Sequence, residues 1–420
     1  MTPAPTWFGQ PRGLTILFLT NMWEQFSYYG MRALLVYYMT KQLLIAQETS
    51  SLIYGIYTAC AYFTPIVGGV IADRLLGKRR AIIIGGSVMA VGHFMMTFEP
   101  LFYVALATIA IGNGLFLPSL PSQIDDLYEP GDPRVGWAYN VYYVGVNIGG
   151  FLAPLICGTL GELYGWHYGF GAAGIGMLVG LSIYLWGQRY LPDQARHPLV
   201  ETGNAPNARM GRNTVLLLLA IALSVTVFRS AYEQVGNTVA LWADTGIDRQ
   251  AGSVLIPMTW FQSLNPLLVM MMTPPLLVWW RRRVDAGRPE RPARKMATGA
   301  LVVAVAYLLL AGLEAAGSPT HWAWLVLFFV IFTFGELYIL PTGLGLFARL
   351  APKGLGATTV AAWYLATFAG SIAAGLVGSL WSRMDHAVYF GLLAVIGAVA
   401  ALLLRLVDPF EQRVEKSRRA

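Results

Sequence analysis

Glu24, Tyr28 and Arg32 recur every four residues inside an apolar run, with Gln25 and Tyr29 beside them. That spacing stacks their side chains on one face of a helix. Arg229, Glu233 and Asn237 repeat the spacing in a later apolar run, where Arg and Glu four residues apart can pair along a helix. Glu336 stands alone in a third run, and Asn147 and Asn265 place amides in two more. Such groups hold amines, accept hydrogen bonds and exchange protons. Inside a bilayer an ionised side chain is costly unless it is paired or faces a water-filled cavity, so these positions mark a transport pathway. Polar glue between helices is the competing explanation. It serves for a lone Asn better than for five ionisable groups on facing helices. No other chemistry stands out. There is no His-Glu-x-x-His, no Gly-x-Ser-x-Gly and no phosphate-binding Gly-rich loop ending in Lys. The five histidines lack metal-ligand spacing, and Cys60 and Cys157 sit in apolar runs. No enzyme, metal site, disulfide framework or cofactor is expected.

The elements that must carry these residues are read from hydropathy. Of the 420 residues 56% are hydrophobic and 12% charged, against about a quarter charged in soluble domains. Apolar runs fall near 14–40, 51–73, 81–98, 101–127, 136–160, 167–188, 214–242, 252–280, 296–313, 322–348, 355–381 and 386–404. Each is long enough to cross a hydrocarbon core of about 30 Å as a helix. The first carries Glu24, Gln25 and Arg32 and lacks a small-residue cleavage site, so it reads as a retained span rather than a signal peptide. The net charge is +7, and most basic residues crowd one set of loops and both tails, Arg74, Lys78, Arg79, Arg80, Arg281, Arg282, Arg283, Arg413 and Lys416 among them. Lys41, Arg249 and Arg383 are the ones left for the opposite loops. The positive-inside rule then places both termini in the cytoplasm and requires an even number of spans. The basic tail is a topology signal rather than a nucleic-acid patch.

The longest polar stretch divides the spans six and six. The expected plan is an N-terminal bundle over 1–189, a cytoplasmic linker over 190–213 and a C-terminal bundle over 214–420 with a basic tail. Two six-helix halves are the plan of the major facilitator superfamily, with a substrate site near the midplane between them. After the second span the chain reads Gly69-Val-Ile-Ala-Asp73-Arg74-Leu-Leu-Gly77-Lys78-Arg79-Arg80, which resembles the signature of that superfamily. A Gly turn, a carboxylate at a helix end and a basic cluster follow one another there. Asp73 could latch a neighbouring helix and release it as the halves rock.

Several segments resemble the proton-coupled oligopeptide transporter family. They are Trp23-Glu24-Gln25-Phe26-Ser27-Tyr28-Tyr29-Gly30-Met31-Arg32, the Gly68-to-Gly77 stretch, Tyr139-Asn-Val-Tyr142-Tyr143-Val-Gly-Val-Asn147-Ile-Gly149-Gly150-Phe151, Glu233-Gln234-Val-Gly236, Trp260-Phe261-Gln262-Ser263-Leu264-Asn265-Pro266, and Gly335-Glu336-Leu337 with Pro341. The resemblance implies an all-α, twelve-span membrane protein that imports di- or tripeptides with protons by alternating access. It places Asn147, Asn265 and Glu336 at the peptide's amino end, where a carboxylate and two amide oxygens can accept all three ammonium protons. It places Tyr29 and Arg32 near the carboxylate end, with Tyr28, Tyr62, Tyr143 and Trp363 lining side-chain pockets. Glu24, Glu233 and Glu336, with Arg32 and Asp73, are the expected coupling and gating groups. The implied partners are a peptide-like small molecule, protons and the lipid bilayer, and the compactness of the chain points to a bacterial inner membrane.

The departures are specific. The family's Glu-xx-Glu-Arg motif reads Asn21-Met22-Trp23-Glu24-Gln25, and Leu117 stands where a Lys is usual before Pro118. Arg229 occupies a pocket position that usually bears an aromatic. The expectation is that Glu336, without a Lys partner, exchanges its proton near neutral pH and carries much of the coupling, with Glu233 paired to Arg32 or Arg229. With the carboxylate clamp resting on Arg32 and Arg229, a modified peptide or another metabolite is an alternative substrate. The same departures are compatible with a facilitator of weakened proton coupling, or with a transport-dead sensor.

Overall fold

The computed structural model describes residues 6–7, 9–129, 132, 134–192, 210–287, 291–317, 319–351 and 356–419. The part of the expected linker over 193–209 lies outside them. Among the described residues the chain forms twelve long helices: α1 (Arg12–Tyr37), α2 (Gln47–Ile71), α3 (Lys78–Met95), α4 (Phe102–Ser119), α5 (Arg134–Ala153), α6 (Trp166–Gly187), α7 (Arg212–Tyr232), α8 (Leu264–Asp285), α9 (Pro292–Ala316), α10 (Trp322–Leu350), α11 (Gly356–Gly378) and α12 (His386–Arg419). Ten helical stretches among the described residues are apolar and long enough to cross a membrane. The two left out, α1 and α3, are diluted by polar residues: α1 by the stripe at Glu24, Gln25 and Arg32, and α3 by Lys78, Arg79 and Arg80 at its start. Pro65, Pro118, Pro274, Pro275 and Pro341 all lie inside helices, as membrane helices tolerate where neighbours satisfy the freed carbonyls.

Local chemistry fixes several helix ends. Asp132 Oδ1 accepts the Arg134 N–H at 2.8 Å at the start of α5. Hydrogen bonds from Arg134 hold the Asp132 carboxyl below its ordinary range. Asp385 Oδ1 accepts from Ala387 and Val388 at the start of α12, satisfying donors that the helix itself leaves free. Gly77 has φ +77° where the π turn Ala72–Leu76 after α2 ends and α3 begins, a conformation that only Gly adopts cheaply.

The chain divides into two compact units, Met1–Tyr38 with Cys60–Glu201, and Met39–Ala59 with Thr202–Ala420. In the first, α1 packs along α5 and α6, and α3 along α4. A side chain at Gly149 would come within 2.2 Å of the Met22 carbonyl and 3.1 Å of Gln25 Cβ, and one at Gly68 within 2.0 Å of the Gly114 carbonyl. Backbones touching this closely fix the register of α5 on α1 and of α2 on α4. In the second unit α9 packs along α10 and α12, and α7 along α11 and α12, over a core that includes Phe228, Trp242, Tyr307, Phe328 and Phe390. The first half of α2 belongs to this second unit. There Gln47 Nε2 donates to the Gly378 carbonyl at 3.0 Å, and Arg383 Nε donates to Glu48 Oε1 at 2.8 Å.

Candidate functional site

In the first unit the stripe on α1 forms as its spacing predicts. Glu24 is 1% exposed, and Gln25 Nε2 donates to its Oε2 at 2.6 Å. The Gln25 amide therefore serves the neighbouring carboxylate. Tyr28 and Tyr29 meet edge to face at 5.4 Å and, like Arg32 and Tyr62, are half-buried, while Tyr143 is exposed. Asn147 is 7% exposed and donates to the Tyr143 carbonyl of its own helix at 2.9 Å. Asp73 is exposed and makes no ion pair among the described residues. The contact that ties helix ends together there is made by Lys78, which donates to the Ser122 carbonyl and to Asp126, both at 2.8 Å.

In the second unit the polar residues of α7, α8 and α10 converge. Arg229, 4% exposed, pairs along α7 with Glu233, 1% exposed. Of the two partners expected for Glu233, Arg229 is thus engaged. Room for so large a side chain comes from Gly370 on α11, where a Cβ would lie 2.4 Å from Arg229 Cβ. Glu336 is 8% exposed. Tyr232 Oη donates to its Oε1 at 2.7 Å and Asn265 Nδ2 to its Oε2 at 2.5 Å, while Asn265 also donates to Thr333 Oγ1 at 3.1 Å. A carboxylate only accepts, so the bond to Glu336 fixes which way the Asn265 amide points. The Tyr232 ring stacks on Phe332 at 5.4 Å and carries the Arg229 guanidinium over its face at 4.9 Å. The ring thus stands between the Arg229–Glu233 pair and Glu336.

Glu336 makes no ion pair among the described residues, as expected without a Lys, and two neutral donors hold it. One expectation needs correction. Asn237 does not continue the stripe of Arg229 and Glu233. Helix α7 gives way to a 3-10 turn over Glu233–Gly236, and Asn237 leaves helical geometry at φ −117°, ψ −95°. Its side chain joins another buried set, accepting from Ser51 Oγ at 3.0 Å and donating to Gln234 Oε1 at 3.3 Å. Trp363, expected to line a side-chain pocket, is 6% exposed and packs against Phe347 and Gly343. Sequence reasoning missed Tyr232, Thr333 and Gln234. Tyr232 and Thr333 each lie three residues from a charged site residue, Arg229 and Glu336, and so share its helix face. That spacing was the available signal. Among the described residues no group of His, Cys, Asp and Glu could hold a metal ion.

Comparison with known proteins bears on this arrangement. The POT family model matches residues 79–205 and 199–396. The chain is 30% identical over 99% of its length to an uncharacterized transporter YclF of Bacillus subtilis, covering 97% of that protein. It is 29% identical over 96% of both chains to a di-/tripeptide transporter of Lactococcus lactis subsp. cremoris. Among solved structures it is similar to a peptide transporter POT in complex with sulfate, with a TM-score of 0.89, 28% identity and 97% and 96% of the two chains covered. It is also similar to a POT family transporter in complex with 5-aminolevulinic acid, with a TM-score of 0.87, 25% identity and 97% and 98% covered. Twelve long helices, the expected spacing of polar groups within them and these matches over nearly the whole chain agree: the protein is a membrane transporter of the major facilitator fold and belongs to the POT family.

Proposed function

We propose that this transporter imports di- and tripeptides, or peptide-like molecules with a free amine, together with protons. The observation that carries the reading is the Glu336 carboxylate, nearly buried and held by Tyr232 and Asn265. A carboxylate so placed can take up a proton or hold a substrate ammonium, and a proton displaced from it can pass to another carboxylate of the pathway and travel with the substrate. Binding either one cancels its charge and changes the relative stability of the transporter's conformations. Asn147 is assigned the amino end with Asn265 and Glu336, and Tyr29 and Arg32 the carboxylate end. Tyr28, Tyr62 and Tyr143 are assigned the peptide's side chains. Glu24, with Gln25 as its donor, and Glu233, paired with Arg229, are assigned to coupling and gating together with Arg32 and Asp73. Residues 1–189 and 214–420 are the two bundles that rock, both termini are cytoplasmic, and the membrane is a bacterial inner membrane. The di-/tripeptide transporter of Lactococcus lactis supports the substrate class.

A second reading has its own support. The Gln25 amide is engaged by Glu24, Leu117 is apolar, and a similar structure binds 5-aminolevulinic acid. A thinner carboxylate end suits smaller amine-bearing metabolites. Counterflow of radiolabelled Ala-Ala into proteoliposomes separates the two. Exchange with unlabelled Ala-Ala but not with its C-terminal amide supports peptides held at both ends. Equal exchange with the amide, or exchange with 5-aminolevulinic acid alone, contradicts that reading.

A further inference from the structure

Towards its C-terminal end, helix α8 has one packed face and one open one. Val269, Leu276 and Trp280 cluster with Leu337 and Tyr338 of α10, and the Trp280 and Tyr338 rings meet edge to face at 5.2 Å. Met271, Pro274, Pro275, Val278, Arg281 and Arg282 follow the helical repeat along the opposite face and are all exposed. The apolar part of this ridge ends in cations. From Met271 to Arg281 the helix rises about 15 Å, half of a hydrocarbon core of about 30 Å. Arg283 follows in the last turn of α8, and Arg294 and Lys295 lie in the first turn of α9. Two tryptophans clad this end, as aromatic rings do at headgroup depth. Lys295 Nζ sits 3.1 Å from the centre of the Trp280 ring, and the Arg283 guanidinium 5.0 Å from that of exposed Trp279.

Arg281, Arg282 and Arg294 are exposed and make no ion pair among the described residues. Other bases of the loops expected in the cytoplasm have carboxylate partners: Lys78 has Asp126, Arg134 has Asp132 and Arg349 has Glu415. The positive-inside rule accounts for the sign of the charge here. It does not account for cations left unneutralised at the top of an apolar ridge one leaflet deep. We propose that this face of α8 is a binding site for an anionic phospholipid, with the headgroup phosphate on Arg281 and Arg282 and an acyl chain along Met271, Pro275 and Val278. Arg294 and Lys295 add positive charge from the neighbouring helix. A soluble phosphate would use the cations alone, and a zwitterionic lipid would leave their charge unbalanced. An anionic lipid uses both parts of the surface.

The test is native mass spectrometry of the full-length protein in neutral detergent, titrated with phosphatidylglycerol or with phosphatidylcholine of the same acyl chains. Wild-type protein should bind phosphatidylglycerol on the order of tenfold more tightly, since each base near a membrane surface contributes about fivefold to the affinity for anionic lipid. Arg281→Gln with Arg282→Gln should abolish that preference. Arg405→Gln with Arg413→Gln removes the same charge from exposed positions on α12 and should leave it unchanged. Arg294→Gln is the second variant should the first pair fail to fold, and it should weaken phosphatidylglycerol about fivefold. Equal binding of the two lipids by wild-type protein, or equal loss in the α8 and α12 variants, would overturn the site. Glycerol phosphate that displaces phosphatidylglycerol at equal concentration would reveal a soluble-anion site and overturn the assignment to lipid.

Discussion

At the scale of the residue, burial decides which charges matter. Arg229 and Glu233 are almost fully enclosed, so each depends on the other for much of what water would otherwise supply. Arg229→Met removes the helical partner of a carboxylate that is 1% exposed, which should cost about 3 kcal/mol. The loss should appear as a lower melting temperature of the detergent-solubilised protein, and Arg229→Met with Glu233→Leu should recover most of it. A single mutant as stable as the wild type would contradict a mutually dependent pair. The ionisable members of this site were legible in the sequence because charges inside apolar runs are few and their spacing is helical. Tyr232 and Thr333 were not, because a hydroxyl is common in membrane helices and becomes informative only when its partner on another helix is known.

At the scale of the element, twelve helices and most of their limits could be read from hydropathy, while the interruption of α7 could not. Glu233-Gln-Val-Gly236 has no proline. The break is fixed by tertiary bonds, with Gln234 Nε2 donating to the Ala374 carbonyl on α11 at 2.8 Å and Asn237 turning to Ser51. A sequence pattern of period four continues through such a turn, and the helix does not. Close helix crossings were also foreseen only as a class, since small residues permit contact without naming the partner. Gly68 on α2 meets α4 closely, with a Cβ position 2.0 Å from the Gly114 carbonyl. Gly68→Ala must push α2 from α4, at about 2 kcal/mol or more. The expected result is a shifted melting temperature and a broadened size-exclusion peak. An unperturbed Gly68→Ala variant would contradict the α2–α4 register.

At the scale of the whole molecule, topology rests on charge. The basic loops and tails lie on one side if the positive-inside rule governs insertion, and Cys157 is buried and Cys60 half-buried, so neither should react much with an impermeant maleimide. A cysteine introduced at exposed Ser382, in the turn before α12, should label in spheroplasts. One introduced at Glu415, near the end of α12, should label only in inverted vesicles. The reverse pattern would contradict cytoplasmic termini. The central claim, that Glu336 couples protons to uptake, is tested most directly by Ala-Ala accumulation in proteoliposomes with and without an inwardly directed proton gradient. Wild-type protein should concentrate the peptide above its external level only when the gradient is present, and Glu336→Gln should lose that accumulation while retaining counterflow exchange. Full gradient-driven accumulation by Glu336→Gln, or wild-type uptake indifferent to the gradient, would contradict the account.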